Sequence, residues 1–191
     1  MAKATDSKEK TLAAAALLFR RQGFHGTALQ DVLAAAGSPR GSLYFHFPGG
    51  KEQIGEAALD LAGEAVRAKI AHAAELSPNA EAFLTGIARA MAADLQESDF
   101  CNGCPIATTA LETAAQSQAL RAAAQRAFKS WEQEIARGLS RFGAKPDDAA
   151  AAATVILSQI EGALLLARTY RSVEPLRRAE AVMKLLARIA A

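Results

Sequence analysis

At 191 residues the chain is long enough for one generous domain, or for a small domain joined to a larger one. Apolar residues make up 51% and charged residues 22%, a balance that supports a packed core, while aromatics are only 6% and alanine abounds, favouring helices over sheets. A net charge of +2 is too small to indicate nucleic-acid binding by bulk charge, but residues 1–55 carry seven Lys/Arg against four Asp/Glu, and the remainder fifteen against sixteen. A mildly basic N-terminal part on a near-neutral body suits a small DNA-reading head.

Asp6 to Gln22 reads as a first helix, with Leu12, Ala15, Ala16 and Phe19 at helical spacing and Gly23 placed to end it. Thr27-Ala-Leu-Gln30 has the form of a capping box and opens a second helix that runs to Ala35. Gly37 permits a tight turn, Ser38 is placed to cap a third helix, and Pro39 takes its first position, where a missing N–H costs nothing. Leu43 and Phe47 lie four apart and share the buried side of that helix, which leaves Arg40, Ser42, Tyr44 and His46 on a polar face. Two short helices joined by a glycine turn are the pattern of a helix-turn-helix, whose second helix enters a DNA major groove.

Pro48-Gly-Gly50 breaks the chain, and Lys51-Glu52 begins a long helix that reaches about Leu76. Ser77-Pro78 starts the next, which ends near Ser98; Pro105 opens a short one to about Ala115; and Ser117 to Phe142 is long. Lys145-Pro-Asp-Asp148 begins a helix to about Arg171, with acids suited to its N-terminus, and Ser172 and Pro175 start the last. The expectation is an all-α protein of about nine helices, with a helix-turn-helix domain over 1–50 and a helical effector-binding and dimerisation domain over 51–191.

Ala149 to Ala167 is the stretch most like a membrane span, but Ser158, Gln159 and Glu161 fall near its middle, so a buried helix is expected and no membrane partner. Met1 to Lys10 lacks the apolar segment of a signal peptide, so a cytoplasmic location with reduced cysteines is expected.

The first 55 residues resemble the DNA-binding head of the TetR family of transcriptional repressors. The resemblance rests on Gly23-Phe24, Thr27, Ala36-Gly37, and above all Gly41-Ser-Leu-Tyr-Phe-His-Phe47 followed by Lys51-Glu52. Ser38-Pro39-Arg40 with Phe47-Pro-Gly-Gly-Lys51 is similar to the LmrA/YxaF-like subgroup, although the loop before Lys51 is one residue longer than the commonest form. The resemblance implies that Thr27 and Tyr44 hold phosphates by their hydroxyls and Lys51 by its charge. It also implies that Arg40, Gly41 and Ser42 lie against base edges, that His46 lies near backbone or base, and that Ser38 borders the same surface. Arg40 is chemically suited to this, since a guanidinium can bridge guanine O6 and N7.

Members of that family are homodimers that release DNA when a small molecule binds the larger domain. Val155, Gln159, Gly162 and Leu166 follow a 4-3-4 spacing with Ser158 and Leu165 beside them, which suits a dimer face built as a four-helix bundle. Two-fold symmetry then implies a palindromic duplex operator. Phe83, Met91, Phe128 and Trp131 are candidates to line an apolar effector pocket, with Gln159 and Glu161 as its polar groups. Cys101-Asn-Gly-Cys104 could be structural or redox-active; no second Cys or His cluster completes a metal site, so no metal is expected. Phosphate-loop, metalloprotease, nucleophile-elbow and dinucleotide motifs are all missing, so neither an enzyme nor a cofactor is expected. A thiol-responsive regulator, or a helical protein–protein adaptor whose head binds no DNA, are the alternative readings.

Overall fold

A computed structural model of the chain describes residues 2–189, save the side chains of residues 2–6, Arg40, Ser42, Tyr44 and Ile189. Among the described residues there are nine α-helices and no strand: α1 (Ala2–Gln22), α2 (Leu29–Ala36), α3 (Arg40–His46), α4 (Gly50–Leu76), α5 (Ala80–Glu97), α6 (Ala107–Thr113), α7 (Gln118–Arg141), α8 (Pro146–Tyr170) and α9 (Glu174–Ile189). They pack as two compact units, residues 1–64 with 105–127, and residues 65–104 with 128–191. The boundary expected at residue 50 therefore falls inside the first unit, because the start of α4, α6 and the start of α7 pack with the three head helices.

The first unit is organised by aromatic and branched side chains from several helices. Phe19 on α1, Val32 on α2, Leu43 and Phe47 around α3, and Ile54 and Leu59 on α4 are all buried, and the Phe19 and Phe24 rings lie 5.2 Å apart. Leu43 and Phe47 are thus the inward side of α3, as their four-residue spacing requires.

Both short helices start one residue later than expected. The Asp31 carboxylate accepts the Ala28 N–H at 3.0 Å, so Ala28 is the cap of α2. A carboxylate is the stronger acceptor, and it fixes the reaching-back half of the capping box at Asp31 instead of Gln30. Gly37 then takes the left-handed conformation (φ 60°), and the N–H of Ser38 bonds the Leu33 carbonyl at 3.1 Å, closing α2. Pro39 is the last extended residue before Arg40 and occupies the cap position itself, with no side-chain cap.

In the second unit the core runs through Phe83, Leu84 and Leu95 on α5, Trp131, Ile135 and Leu139 on α7, Ile156 and Ile160 on α8, and Leu176 and Met183 on α9. The helix α5 begins at a true cap, where Asn79 accepts the Ala82 N–H at 2.8 Å, two residues beyond the Ser77 start read from the sequence. Pro146 opens α8 with Asp147 and Asp148 in its first turn, where the helix dipole favours acids. At 25 residues α8 is long and apolar enough to cross a membrane, yet its Ala149, Ala153, Ile156, Ile160, Ala163, Leu164 and Ala167 are buried within the unit.

Candidate functional site

The outward side of α3 is built by elimination. With Leu43 and Phe47 turned into the core, Gly41 and Phe45 are exposed, Phe45 by 79% of its surface. The half-exposed His46 ring meets Phe45 edge-on, with centroids 5.1 Å apart, and the Phe47 ring lies 6.4 Å away. Arg40, Ser42 and Tyr44 lie on this helix by their backbone, while their side chains are outside the described residues. Phe45 is a surface residue to which the sequence motif assigns no role of its own. Its position two residues from both Leu43 and Phe47 is the signal that separates it from the core pair.

Two expected phosphate and cap residues prove to be supports. Thr27 is fully buried: its hydroxyl donates to the Gly23 carbonyl at 2.8 Å and accepts from Gln22 Nε2 at 3.3 Å. The hydroxyl hydrogen that a phosphate contact would use is thus donated inside the head. Ser38 likewise does not cap α3; its Oγ lies 3.3 Å from Ser7 Oγ and 3.4 Å from Thr11 Oγ1, tying the turn to α1. Lys51, half-buried in the first turn of α4, holds its Nζ 4.5 Å from the centroid of the Phe24 ring. Burial lowers its ammonium from the usual lysine value, and attraction to Glu112 opposes this.

In the second unit the six candidate pocket residues fall into separate groups. Phe128 and Trp131 meet edge-to-face with centroids 5.5 Å apart, Trp131 fully buried and Phe128 half-buried. Phe83 is core, 6.3 Å from the Phe142 ring, and Met91 is half-buried on α5. Gln159 lines a groove between α8 and α9 with Ser158, Gly162, Leu166 and Tyr170, whereas Glu161 meets the Cys104 thiol. Glu161 is thus a different kind of site from Gln159.

Another acid of this unit shows what Glu161 lacks. Glu134, only 3% exposed, is met by the Arg67 guanidinium and by Arg137 at 3.3 Å. Glu161 has a thiol instead of a cation, and its Oε1 is buried without a hydrogen-bond partner among the described residues. Burial pushes its carboxyl up from the ordinary value, with the Cys104 hydrogen bond opposing. Cys104 is therefore buried against Glu161, and Cys101 is exposed. No group of three or more His, Cys, Asp or Glu suited to a metal ion occurs among the described residues.

Residues 12–58 match the model of the bacterial regulatory proteins of the TetR family, and residues 80–182 match the C-terminal domain of LmrA/YxaF-like transcriptional regulators. The HTH-type transcriptional regulator LmrA of Bacillus subtilis is 36% identical over 171 residues, covering 90% of this chain and 91% of the relative. The chain belongs to the TetR family of transcriptional regulators. A second relative, the HTH-type transcriptional regulator Rv0196 of Mycobacterium tuberculosis, is 37% identical over 174 residues and 88% of each chain. Among solved structures, a TetR transcriptional regulator from Chloroflexus aurantiacus superposes with a TM-score of 0.80 at 30% identity, over 97% of this chain and 96% of that one. This TetR-family regulator is thus a DNA-binding transcriptional regulator with an all-helical fold, and α2 and α3 are its helix-turn-helix.

Proposed function

We propose that the regulator is a cytoplasmic dimeric repressor, that its two α3 helices read the half-sites of a palindromic operator, and that a small apolar effector makes it let go. Functionally, residues 1–50 are the DNA-binding domain and residues 51–191 the effector-binding and dimerisation domain. Arg40, Gly41 and Ser42 face base edges, Phe45 makes apolar contact beside them, Tyr44 and Lys51 hold phosphates, His46 lies near backbone or base, and Thr27 and Ser38 position the helix from behind.

The observation that carries this reading is the division of α3 between the buried Leu43 and Phe47 and the outward Gly41 and Phe45. A helix so divided offers a glycine, where the backbone can approach closely, and an apolar ring suited to a thymine methyl. The dimer reading is supported by the outer face of α8. Val155, Leu165 and Leu166 are exposed there beside Ser158, Gly162 and the half-buried Gln159, and Val182 and Leu185 of α9 are exposed as well. The effector reading is supported by Glu161, because a buried carboxyl without a strong partner is costly and is retained where a ligand supplies the missing donor. Phe128 and Met91, both half-buried, offer apolar surface in the same unit, and Trp131 and Phe83 are part of its buried core. The effector must bind the released form better than the DNA-bound form, since equal affinity would shift nothing.

The test is selection of bound duplexes from a random pool by the purified protein, repeated with apolar ligands present. Enrichment of one inverted repeat, lost on adding a ligand that the protein binds, is the expected result. A pool that never enriches would sink the reading.

A further inference from the structure

Glu112 stands in the last turn of α6, yet both of its carboxylate oxygens lie against the head. Oε2 accepts the backbone N–H of His25 at 2.7 Å. Oε1 occupies the place where a β-carbon on residue 23 would sit, so any other residue there would displace the carboxylate; Gly23 also has a φ of 82°, a conformation that glycine adopts without strain. The turn from Gly23 to His25, which carries the chain from α1 toward α2, is therefore gripped by one carboxylate from another helix of the same unit.

The same carboxylate attracts Lys51, whose Nζ lies over the ring of Phe24 in that turn. One side chain of α6 thus holds the entry to α2 and attracts the start of α4, the two segments that bracket the helix-turn-helix in the chain. An acid within reach of a lysine that holds phosphate weakens DNA binding on charge alone. Its placement makes sense if what it contributes to DNA binding is position.

We infer that Glu112 is a latch whose carboxylate holds the helix-turn-helix in its operator-binding setting. This rests on the DNA-binding role proposed above and adds the residue through which the affinity is set. Glu112 is a positioning residue that touches no base or phosphate.

Charge and position predict opposite signs for Glu112→Ala, which makes the test sharp. Duplexes selected from a random pool by the wild-type protein serve as probe, and affinities are measured at fixed salt and across a salt series. If Glu112 is a latch, Glu112→Ala weakens binding by roughly three- to thirtyfold. The slope of log affinity against log salt stays as in wild type, because no phosphate contact is lost. Glu112→Gln, which still accepts the His25 N–H, restores most of the affinity. Circular dichroism shows both variants folded, since the side chain is only half-buried. Binding by Glu112→Ala that equals or exceeds wild type overturns the latch while leaving the DNA-binding reading intact. A wild-type protein that selects no duplex overturns both.

Discussion

Glu161 shows how one residue can link stability to function. Its carboxyl is pushed up by burial, so the folded state favours the protonated form more than the unfolded chain does. The stability this allows is fully present below the ordinary carboxyl value and is lost as pH rises through the elevated one. Glu161→Gln, which cannot ionise, removes that loss. Its melting temperature should exceed that of wild type at pH 8 by about 2–4 °C, the shift expected for roughly 1 kcal/mol in a chain of this size, and the gap should close toward pH 4. A constant gap across that range would show that ionisation of Glu161 has no part in stability.

Other residues show where sequence reading stops. Leu43 and Phe47 were legible as core because a four-residue spacing on a capped helix leaves them no other side. The hydroxyl of Thr27 was not: its partner Gly23 lies across a turn whose path no periodicity records, and hydroxyl chemistry alone suits a phosphate equally well. Glu112 was illegible for the same reason, since its contact with His25 spans 87 residues and joins a short helix to a loop.

At the scale of helices, sequence signals were read well where they act locally. The turn at Gly37, the proline opening α8 and the breaks between long helices fix backbone conformation over a few residues, and the elements follow. Cap positions moved by one or two residues where several candidates competed, as Asp31 took the role expected of Gln30 and Asn79 that of Ser77. Pocket residues are a different matter, because six apolar and polar residues on three helices reveal their neighbours only after packing. Gln159 and Glu161 are two residues apart on α8, which turns them well over a quarter circle from each other. The exposed face of α8 yields an element-scale prediction. Leu165, with 58% of its surface exposed, loses little folding energy on becoming Asp, but a charge in the centre of an apolar helix pair is unfavourable. Leu165→Asp should sediment as a folded monomer at micromolar concentration where wild type sediments as a dimer. An unchanged sedimentation coefficient would move the interface elsewhere.

For the whole molecule, charge distribution sets what kind of DNA binder this can be. The excess of basic residues lies in residues 1–55, and the remainder is close to neutral, so non-specific attraction is modest. Sequence discrimination must then come from base contacts along α3 and from presenting two copies of it at a fixed spacing. A single α3 supplies few base contacts, which makes dimerisation part of the specificity. The long α4 continues from the head into the second unit and is the covalent connection through which an effector would have to act on that spacing.

The central claim is sequence-specific recognition of a two-fold symmetric site by paired α3 helices. Its most direct test is the ratio of affinities for the selected duplex and for a shuffled duplex of equal length and composition, at one near-physiological salt concentration. The account predicts a ratio of about 10³ or more, falling steeply when one half-site is scrambled. A ratio near one, or full affinity for a single half-site, would contradict it.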